Sequence, residues 1–235
     1  MNKLTFNQKV LPYHIGFIVD GNRRWAKEKG LPTFMGHKKG AEQIEEIIKY
    51  AQDLGIKIVT IYAFSTENWK RTEKEVSYLM KLFEDFAVNK MDEANKREIK
   101  IKILGNFQGL PLSLQKVLNK AINLTKNNQK IIVNVALNYG GRDEITRTFR
   151  KLMVLGIKPK EITEKLINQN LDTAGLPDPD FIIRTSGEQR LSNFIPWQAT
   201  YSELYFPKIH WPDFDKKQLD TAILEFQKRQ RRHGQ

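Results

Sequence analysis

An α/β fold, a mostly parallel sheet covered by helices, is predicted by three observations. Short runs rich in Ile, Val, Thr and Phe alternate with longer segments whose apolar residues recur at helical spacing. The first such run, Ile15-Gly16-Phe17-Ile18-Val19, is continuously apolar, as expected of a strand buried on both faces. Several runs then stop at clusters of charged, amide and glycine residues, and open sheets bind ligands just beyond the carboxyl ends of their strands. A chain of 235 residues can bury one such core, and no Pro/Gly/Ser-rich linker divides it. One domain over residues 1–235 is therefore expected.

The first strand runs into Asp20-Gly21-Asn22-Arg23-Arg24-Trp25. Gly21 lets backbone N–H groups approach an anion, and Arg24 offers a planar fork suited to phosphate oxygens. Asp20 beside an anion is repelled unless a cation lies between them, which makes it the first candidate Mg2+ ligand. A β-turn whose Asp and Asn bond to their own backbone explains these residues equally well. Ala41, Ile44, Ile47, Ile48, Ala51 and Leu54 then mark a helix over His37 to Leu54, with Gly55 as its stop. Ile56 to Phe64 is the second strand, leaving at Ser65-Thr66-Glu67-Asn68-Trp69-Lys70-Arg71. Thr72 and Glu75 form a capping box. It opens a long helix with an apolar stripe of Val76, Leu79, Met80, Phe83, Phe86, Ala87 and Met91, suited to core or to the wall of a cavity.

Ile99 to Leu104 alternates with lysine and suits a strand near a sheet edge. Pro111 to Lys126 is a helix, and Lys130 to Leu137 a strand that exits at Asn138-Tyr139-Gly140-Gly141-Arg142-Asp143 into a helix carrying Ile145, Phe149 and Leu152. A short helix over Pro159 to Asn168 precedes the strand Phe181-Ile182-Ile183, which exits at Arg184 into a loop holding Ser186, Gly187, Glu188, Arg190 and Ser192. Leu204-Tyr205-Phe206 is a short apolar run, and a last helix runs from near Asp213 into the basic tail Lys228-Arg229-Gln230-Arg231-Arg232.

Hydrophobic residues make up 40% and charged residues 28%, which is ordinary for a globular protein. The absence of cysteine excludes a disulfide scaffold, thiolate metal sites and a thiol nucleophile. No apolar run approaches the roughly 20 residues that span a bilayer, so the expected location is cytoplasmic, with contact at the inner leaflet left open. A net charge of +12 favours anionic partners. No Walker, kinase or Rossmann glycine fingerprint is present. A parallel sheet would gather the strand exits on one edge, joining Asp20, Arg24, Ser65, Glu67, Asn68, Arg71, Arg184, Arg190 and Ser192, with His37 and Glu203 as further candidates. Several guanidiniums converging with one or two carboxylates suit a diphosphate bridged by Mg2+.

Ordered along the chain, Asp20-Gly21-Asn22-x-Arg24-Trp25-Ala26, Gly36-His37, Phe64-Ser65-Thr66-Glu67-Asn68-Trp69-x-Arg71, Asn138-Tyr139-Gly140-Gly141-Arg142 and Arg184-Thr185-x-Gly187-Glu188-x-Arg190-x-Ser192-Asn193-Phe194 resemble the cis-prenyltransferase family. Trp197-Gln198-x-x-Tyr201-x-Glu203-Leu204 and Trp211-Pro212-Asp213-Phe214 extend the likeness over nearly the whole chain, toward its bacterial undecaprenyl diphosphate synthases. The resemblance implies condensation of isopentenyl diphosphate onto an allylic diphosphate, with farnesyl diphosphate as primer, a long cis-polyprenyl product and Mg2+ as cofactor. It makes Asp20 and Asn68 catalytic, and Asp20 and Glu203 the metal carboxylates. Gly21, Asn22, Arg23, Arg24, Trp25, Thr33, His37, Ser65, Thr66, Glu67, Trp69 and Arg71 would serve the allylic side. Arg184, Arg190, Leu191 and Ser192 would serve isopentenyl diphosphate. A homodimer is implied, with Glu203 near its interface and Arg232-x-Gly234 reaching a partner's site. Peripheral membrane contact is compatible; a nucleic-acid partner is not expected.

The chain departs from the family pattern at Thr33, where an arginine is usual, and at Arg23, where glycine is common. Arg23 is the candidate replacement cation. Competing readings are a short-chain or irregular prenyl diphosphate synthase, a Mg2+-dependent nuclease or phosphohydrolase with a shallow polar groove, and a non-enzymatic accessory subunit. The last should lack Asp20 or the Arg184, Arg190 and Ser192 groups, all of which are present.

Overall fold

The computed structural model of the protein describes residue 7 and residues 10–229. Arg231, Arg232 and Gly234, including the terminal Arg-x-Gly, lie outside the described residues. The β-branched runs form six strands: β1 (His14–Ile18), β2 (Ile58–Ser65), β3 (Ile99–Leu104), β4 (Ile131–Tyr139), β5 (Phe181–Arg184) and β6 (Glu203–Tyr205). They make one sheet in the order β3-β4-β2-β1-β5-β6, with every neighbouring pair parallel. All strands therefore point their carboxyl ends at the same edge, as the exits predict. The lysine-bearing strand β3 lies at one sheet edge, as its alternation suggests.

Seven α-helices accompany the sheet among the described residues: α1 (Asn22–Glu28), α2 (Thr33–Leu54), α3 (Glu73–Lys96), α4 (Leu112–Thr125), α5 (Gly141–Val154), α6 (Glu164–Asn168) and α7 (Lys216–Gln227). Helix α2 begins before His37, since Pro32 has no N–H to lose at the cap position and sets the chain for helix at once. His37 therefore sits inside the helix instead of opening it. Pro159 to Asn168 breaks into a 3-10 turn, Pro159–Glu161, and the short α6, capped by Thr163. The last helix waits for Asp215, whose carboxylate caps Gln218 N, while Trp211–Asp213 forms a separate 3-10 turn.

Ile15 and Phe17 of β1 pack with Ile47 and Ala51 of α2, and with Trp211, Phe214, Leu219 and Ile223. Ile18 and Ile182 join the cluster containing Phe194 and Tyr139. One buried polar chain ties the centre of the sheet: Thr60 Oγ1 meets His14 Nε2 at 2.7 Å and accepts from Asn134 Nδ2 at 2.9 Å. Paired polar groups in a dry interior fix register, because a slip would leave each unpartnered. Toward the carboxyl edge the β2–β4 ladder shifts register at Tyr62, Phe64 and Ser65, a bulge that ends pairing where β2 hands over to the 3-10 helix Thr66–Lys70.

Candidate active site

Three strand exits, those of β1, β2 and β5, meet around one open hollow of ≈ 1120 Å³. Its lining includes Asp20, Gly21, Asn22, Arg23, Arg24, Thr33, His37, Ser65, Glu67, Asn68, Arg71, Arg184 and Ser192, so thirteen of the residues singled out from sequence share one mouth. Gly21 adopts φ 104°, and a Cβ there would lie 2.1 Å from Ser186 Oγ and 2.6 Å from His210 Nδ1; glycine is required on both counts. Thr185 Oγ1 and Ser186 Oγ hydrogen-bond the Asp20 carbonyl at 2.6 and 3.0 Å, locking the turn that presents the Asp20 carboxylate.

Asp20 Oδ2 accepts from Arg184 at 3.0 Å, and Oδ1 lies 3.1 Å from Arg24. Burial pushes this carboxyl upward, but the hydrogen bond from Arg184 and the charge of Arg24 outweigh it and hold the pKa below its ordinary value. Arg184 is itself buried and donates to the Arg190 carbonyl at 2.5 Å and to Ser192 Oγ at 2.7 Å, while its Nε has no protein partner. Glu188 bridges Arg24 at 2.8 Å and Arg190 at 2.5 Å. A second node forms around Glu75, which pairs with His37 at 3.2 Å, Arg71 at 3.0 Å and Arg23 at 3.9 Å. Burial keeps His37 below its ordinary pKa, favouring the neutral ring.

Asn68 caps its own 3-10 helix: its Oδ1 accepts from Ser65 N at 3.1 Å, leaving the Nδ2 donors for the mouth. An amide held this way is a hydrogen-bond donor and orienter, and a poor base near neutral pH. Asn22 packs its amide against Gly40 and its backbone against Gly36 of α2, where any Cβ would collide with Asn22 atoms. It fixes the α1–α2 approach as well as lining the mouth.

Six predicted residues lie outside that lining. Arg190 is tied to it through Glu188 and through its carbonyl, which accepts from Arg184. Trp69 donates to Asn138 Oδ1 at 2.7 Å and stands edge-on to Phe64; Thr66 bonds Glu67. Trp25 and Leu191 are absent from the mouth's lining. Glu203 lies apart from the mouth within one chain: it pairs in register with Phe181, the first residue of β5, whereas Arg184 is the last. Three residues of strand separate the two, about 10 Å, and the Glu203 carboxylate is paired with Arg229 at 2.9 Å. Within one chain Asp20 and Glu203 do not converge, because parallel register puts the start of β6 at the far edge. Conversely, Glu75 and Glu188 organise the arginines and were not singled out as site residues. The i,i+4 spacing of Glu75 after Arg71 is the signal that points to the first.

Beneath the mouth lies a second hollow of ≈ 160 Å³, walled by Ile44 and Ile48 of α2, Phe83, Phe86 and Met91 of α3, and Ile61, Ile101 and Val133 of the sheet. Ala63 lines both spaces, so the charged mouth and the apolar hollow meet at β2. The apolar stripe of α3 is thus cavity wall as well as core.

Residues 18–234 match the family model described as "Putative undecaprenyl diphosphate synthase". The chain belongs to this family. The prenyltransferase is 49% identical over 232 residues to the isoprenyl transferase of Streptococcus pneumoniae (strain ATCC BAA-255 / R6), covering 95% of this chain and 92% of that protein. It is 44% identical to the isoprenyl transferase of Agrobacterium fabrum, covering 98% and 95%. Among solved structures it superposes on lavandulyl diphosphate synthase from Lavandula x intermedia, in complex with dimethylallyl diphosphate, with a TM-score of 0.93 at 36% identity over 97% of this chain and 100% of that one. A probable undecaprenyl diphosphate synthase from Campylobacter jejuni matches with a TM-score of 0.80 at 27% identity over the full length of both chains. The enzyme is a prenyltransferase, and the nuclease, phosphohydrolase and accessory-subunit readings fall away. No helix among the described residues is long and apolar enough to cross a membrane.

Proposed function

We propose that this enzyme condenses isopentenyl diphosphate onto an allylic diphosphate, farnesyl diphosphate in the first cycle, and repeats the step to build a long cis-polyprenyl diphosphate. The observation that carries this reading is the shared wall at Ala63, where a mouth rich in arginine adjoins a hollow lined by aliphatic and aromatic side chains. A prenyl diphosphate has the same two-part chemistry. Ionisation of the allylic C–O bond releases pyrophosphate and leaves a delocalised cation. The alkene of isopentenyl diphosphate attacks that cation, and a proton passes from the new chain to a diphosphate oxygen as the new double bond forms.

Residues of this chain support each demand. Arg23, Arg24 and Arg71 flank the allylic diphosphate, and fixed guanidiniums stabilise the leaving group as its charge develops. Arg184, Arg190 and Ser192 hold isopentenyl diphosphate, and Asn68 donates from the rim to orient the reacting groups. Asp20 is the carboxylate that would hold Mg2+. The donor set fits that ion when completed by substrate oxygens and water, since Asp20 is a hard oxygen donor at the mouth and Mg2+ usually binds one or two carboxylates plus phosphate. When bound, Mg2+ neutralises diphosphate charge. The partner assembly is a homodimer, in which the Glu203 edge would meet a second copy.

A second reading, a short-chain or irregular synthase, draws support from the likeness to lavandulyl diphosphate synthase and from the small hollow. The deciding experiment incubates the enzyme with radiolabelled isopentenyl diphosphate, Mg2+ and either farnesyl or dimethylallyl diphosphate, then sizes the extracted lipids. A long polyprenyl series from farnesyl diphosphate is expected. A single short product would install the second reading, and no incorporation with either primer would refute both.

A further inference from the structure

The apolar hollow is closed on one side by charge. Its lining is otherwise mostly apolar, but Glu45 and Lys49 of α2 and Lys90 and Glu93 of α3 also border it. Lys49 Nζ lies 2.6 Å from Glu45 and 2.6 Å from Glu93; Lys90 Nζ lies 2.8 Å from Glu45 and 3.9 Å from Glu93. The four groups alternate in sign across the seam between the helices. Both shifted members favour their charged forms: hydrogen bonds to Glu45 and Glu93 raise Lys49, and although burial opposes it, Lys49 and Lys90 lower Glu45.

Size makes this wall important. At ≈ 160 Å³ the hollow is comparable with an engineered protein cavity of about 150 Å³ that holds one benzene, so a chain of many isoprene units must displace a wall. The sheet wall is bound by ladder hydrogen bonds and a buried polar tie. The α4 wall is packed through Leu118 and Ala121. The α2–α3 seam is held at its mouth end by Tyr78 against Phe34 and by His37 with Glu75, and at its far end by the four charges. Partly exposed ion pairs hold less firmly than sheet ladders or close apolar packing, so this seam is the wall that yields first, and its four charges set how hard a growing chain must push.

We propose that Glu45, Lys49, Lys90 and Glu93 form an electrostatic clasp that sets product length, by resisting the separation of α2 and α3 that a growing hydrocarbon requires. The inference rests on the prenyl-elongation reading above and goes beyond it by assigning a length-determining role to charged residues remote from the mouth. Lengthening adds five carbons per step; the chain stops when the next unit can no longer push the seam apart.

The test is product sizing with Lys90→Glu and with Glu45→Lys/Lys90→Glu, alongside wild type, with circular dichroism and thermal melts as fold controls. Lys90→Glu places three carboxylates around Lys49 and should move the dominant product up by at least one isoprene unit. The double variant keeps opposite charges facing across the seam at both pairs and should return the product toward wild type. Wild-type enzyme in a salt series supplies an arm that needs no variant: at about 1 M the screening length falls to about 3 Å, and products should lengthen as ionic strength rises. Unchanged product length in folded Lys90→Glu, or failure of the double variant to restore it, overturns the clasp; if neither variant folds, absence of a salt-dependent shift does so. Wild-type enzyme that makes no polyprenyl product would instead refute the elongation reading itself.

Discussion

Two clusters of arginine and carboxylate stand in this molecule, and their difference separates function from architecture. Near the start of α5, Arg147 donates to both oxygens of Asp172, at 2.9 and 2.7 Å, and to Asp143 at 2.7 Å. Fully buried Glu144 accepts from Tyr139, Gln198 and the Asp172 backbone. Here one guanidinium pairs with two acids beside a third, Glu144, that is satisfied by neutral donors, and the donors and acceptors consume one another. At the mouth, Arg23, Arg24, Arg71, Arg184 and Arg190 share Asp20, Glu75 and Glu188, while Glu67 is turned to Asn193. Positive charge is left over, and it faces a hollow. The two acids also titrate in opposite directions: burial dominates and raises Glu144, whereas Arg184 and Arg24 prevail over burial and lower Asp20. Surplus charge beside empty space marks the ligand site; an equal density of saturated charge marks a joint.

The largest expected effect is at Asp20. Asp20→Asn preserves shape and keeps an oxygen for Arg184, so the melting temperature should move by only about one or two degrees, while turnover with saturating substrates should fall by about 10²–10³-fold or more. Near-normal turnover would erase the distinction between the two clusters. The mirror experiment is Glu144→Ala. Three buried donors lose their acceptor, which should cost about 3 kcal/mol, or a drop of about 6–12 °C in melting temperature. Activity per folded molecule should stay within about twofold. A stable, inactive Glu144→Ala enzyme would show that the α5 cluster belongs to catalysis.

How much of this was legible beforehand follows from the range of the forces involved. Strand and helix identities were readable because β-branching, helical spacing and caps such as Gly55 act over a few residues. The convergence of Asp20, Asn68 and Arg184 was readable because parallel strands all exit on one edge. The distance of Glu203 from the mouth within one chain was not readable: nothing local reveals that it starts its strand, so its register with Phe181 appears only in the fold. Glu188 and Glu75 were seen as a loop residue and a helix cap, since their arginine partners come from distant segments or from rotamers set by packing.

The opposite ends of β1 extend the comparison to pH. Asp20 follows its carboxyl end, and His14 opens its amino end, where Nδ1 contacts the Pro177 carbonyl at 2.8 Å and Nε2 meets Thr60. Burial lowers the His14 pKa from 6.5 to about 4. The unfolded chain therefore binds this proton first as pH falls, so the stabilisation is fully present above pH 6.5 and is lost between 6.5 and about 4. At about 1.4 kcal/mol per unit this amounts to at most about 3 kcal/mol. Urea titrations from pH 7 to 4 should show that loss, reduced in His14→Gln; an identical pH slope in the variant would mean that other groups carry it.

The smallest effect tests the surplus itself. Arg23 is the mouth cation with a 61% exposed side chain and only a 3.9 Å approach to Glu75, and it shares the lining with Thr33. An exposed cation with so loose a partner acts through solvent, and its contribution to binding a diphosphate should be about 1 kcal/mol or less. Arg23→Ala, which keeps helix propensity at that position, should therefore raise the Michaelis constant for the allylic diphosphate by about two- to fivefold at low ionic strength and leave turnover unchanged. The difference should shrink as salt shortens the reach of an exposed charge. An unchanged Michaelis constant at low salt would mean that Arg23 is spent on Glu75, and that the free positive charge of the mouth resides in its buried arginines alone.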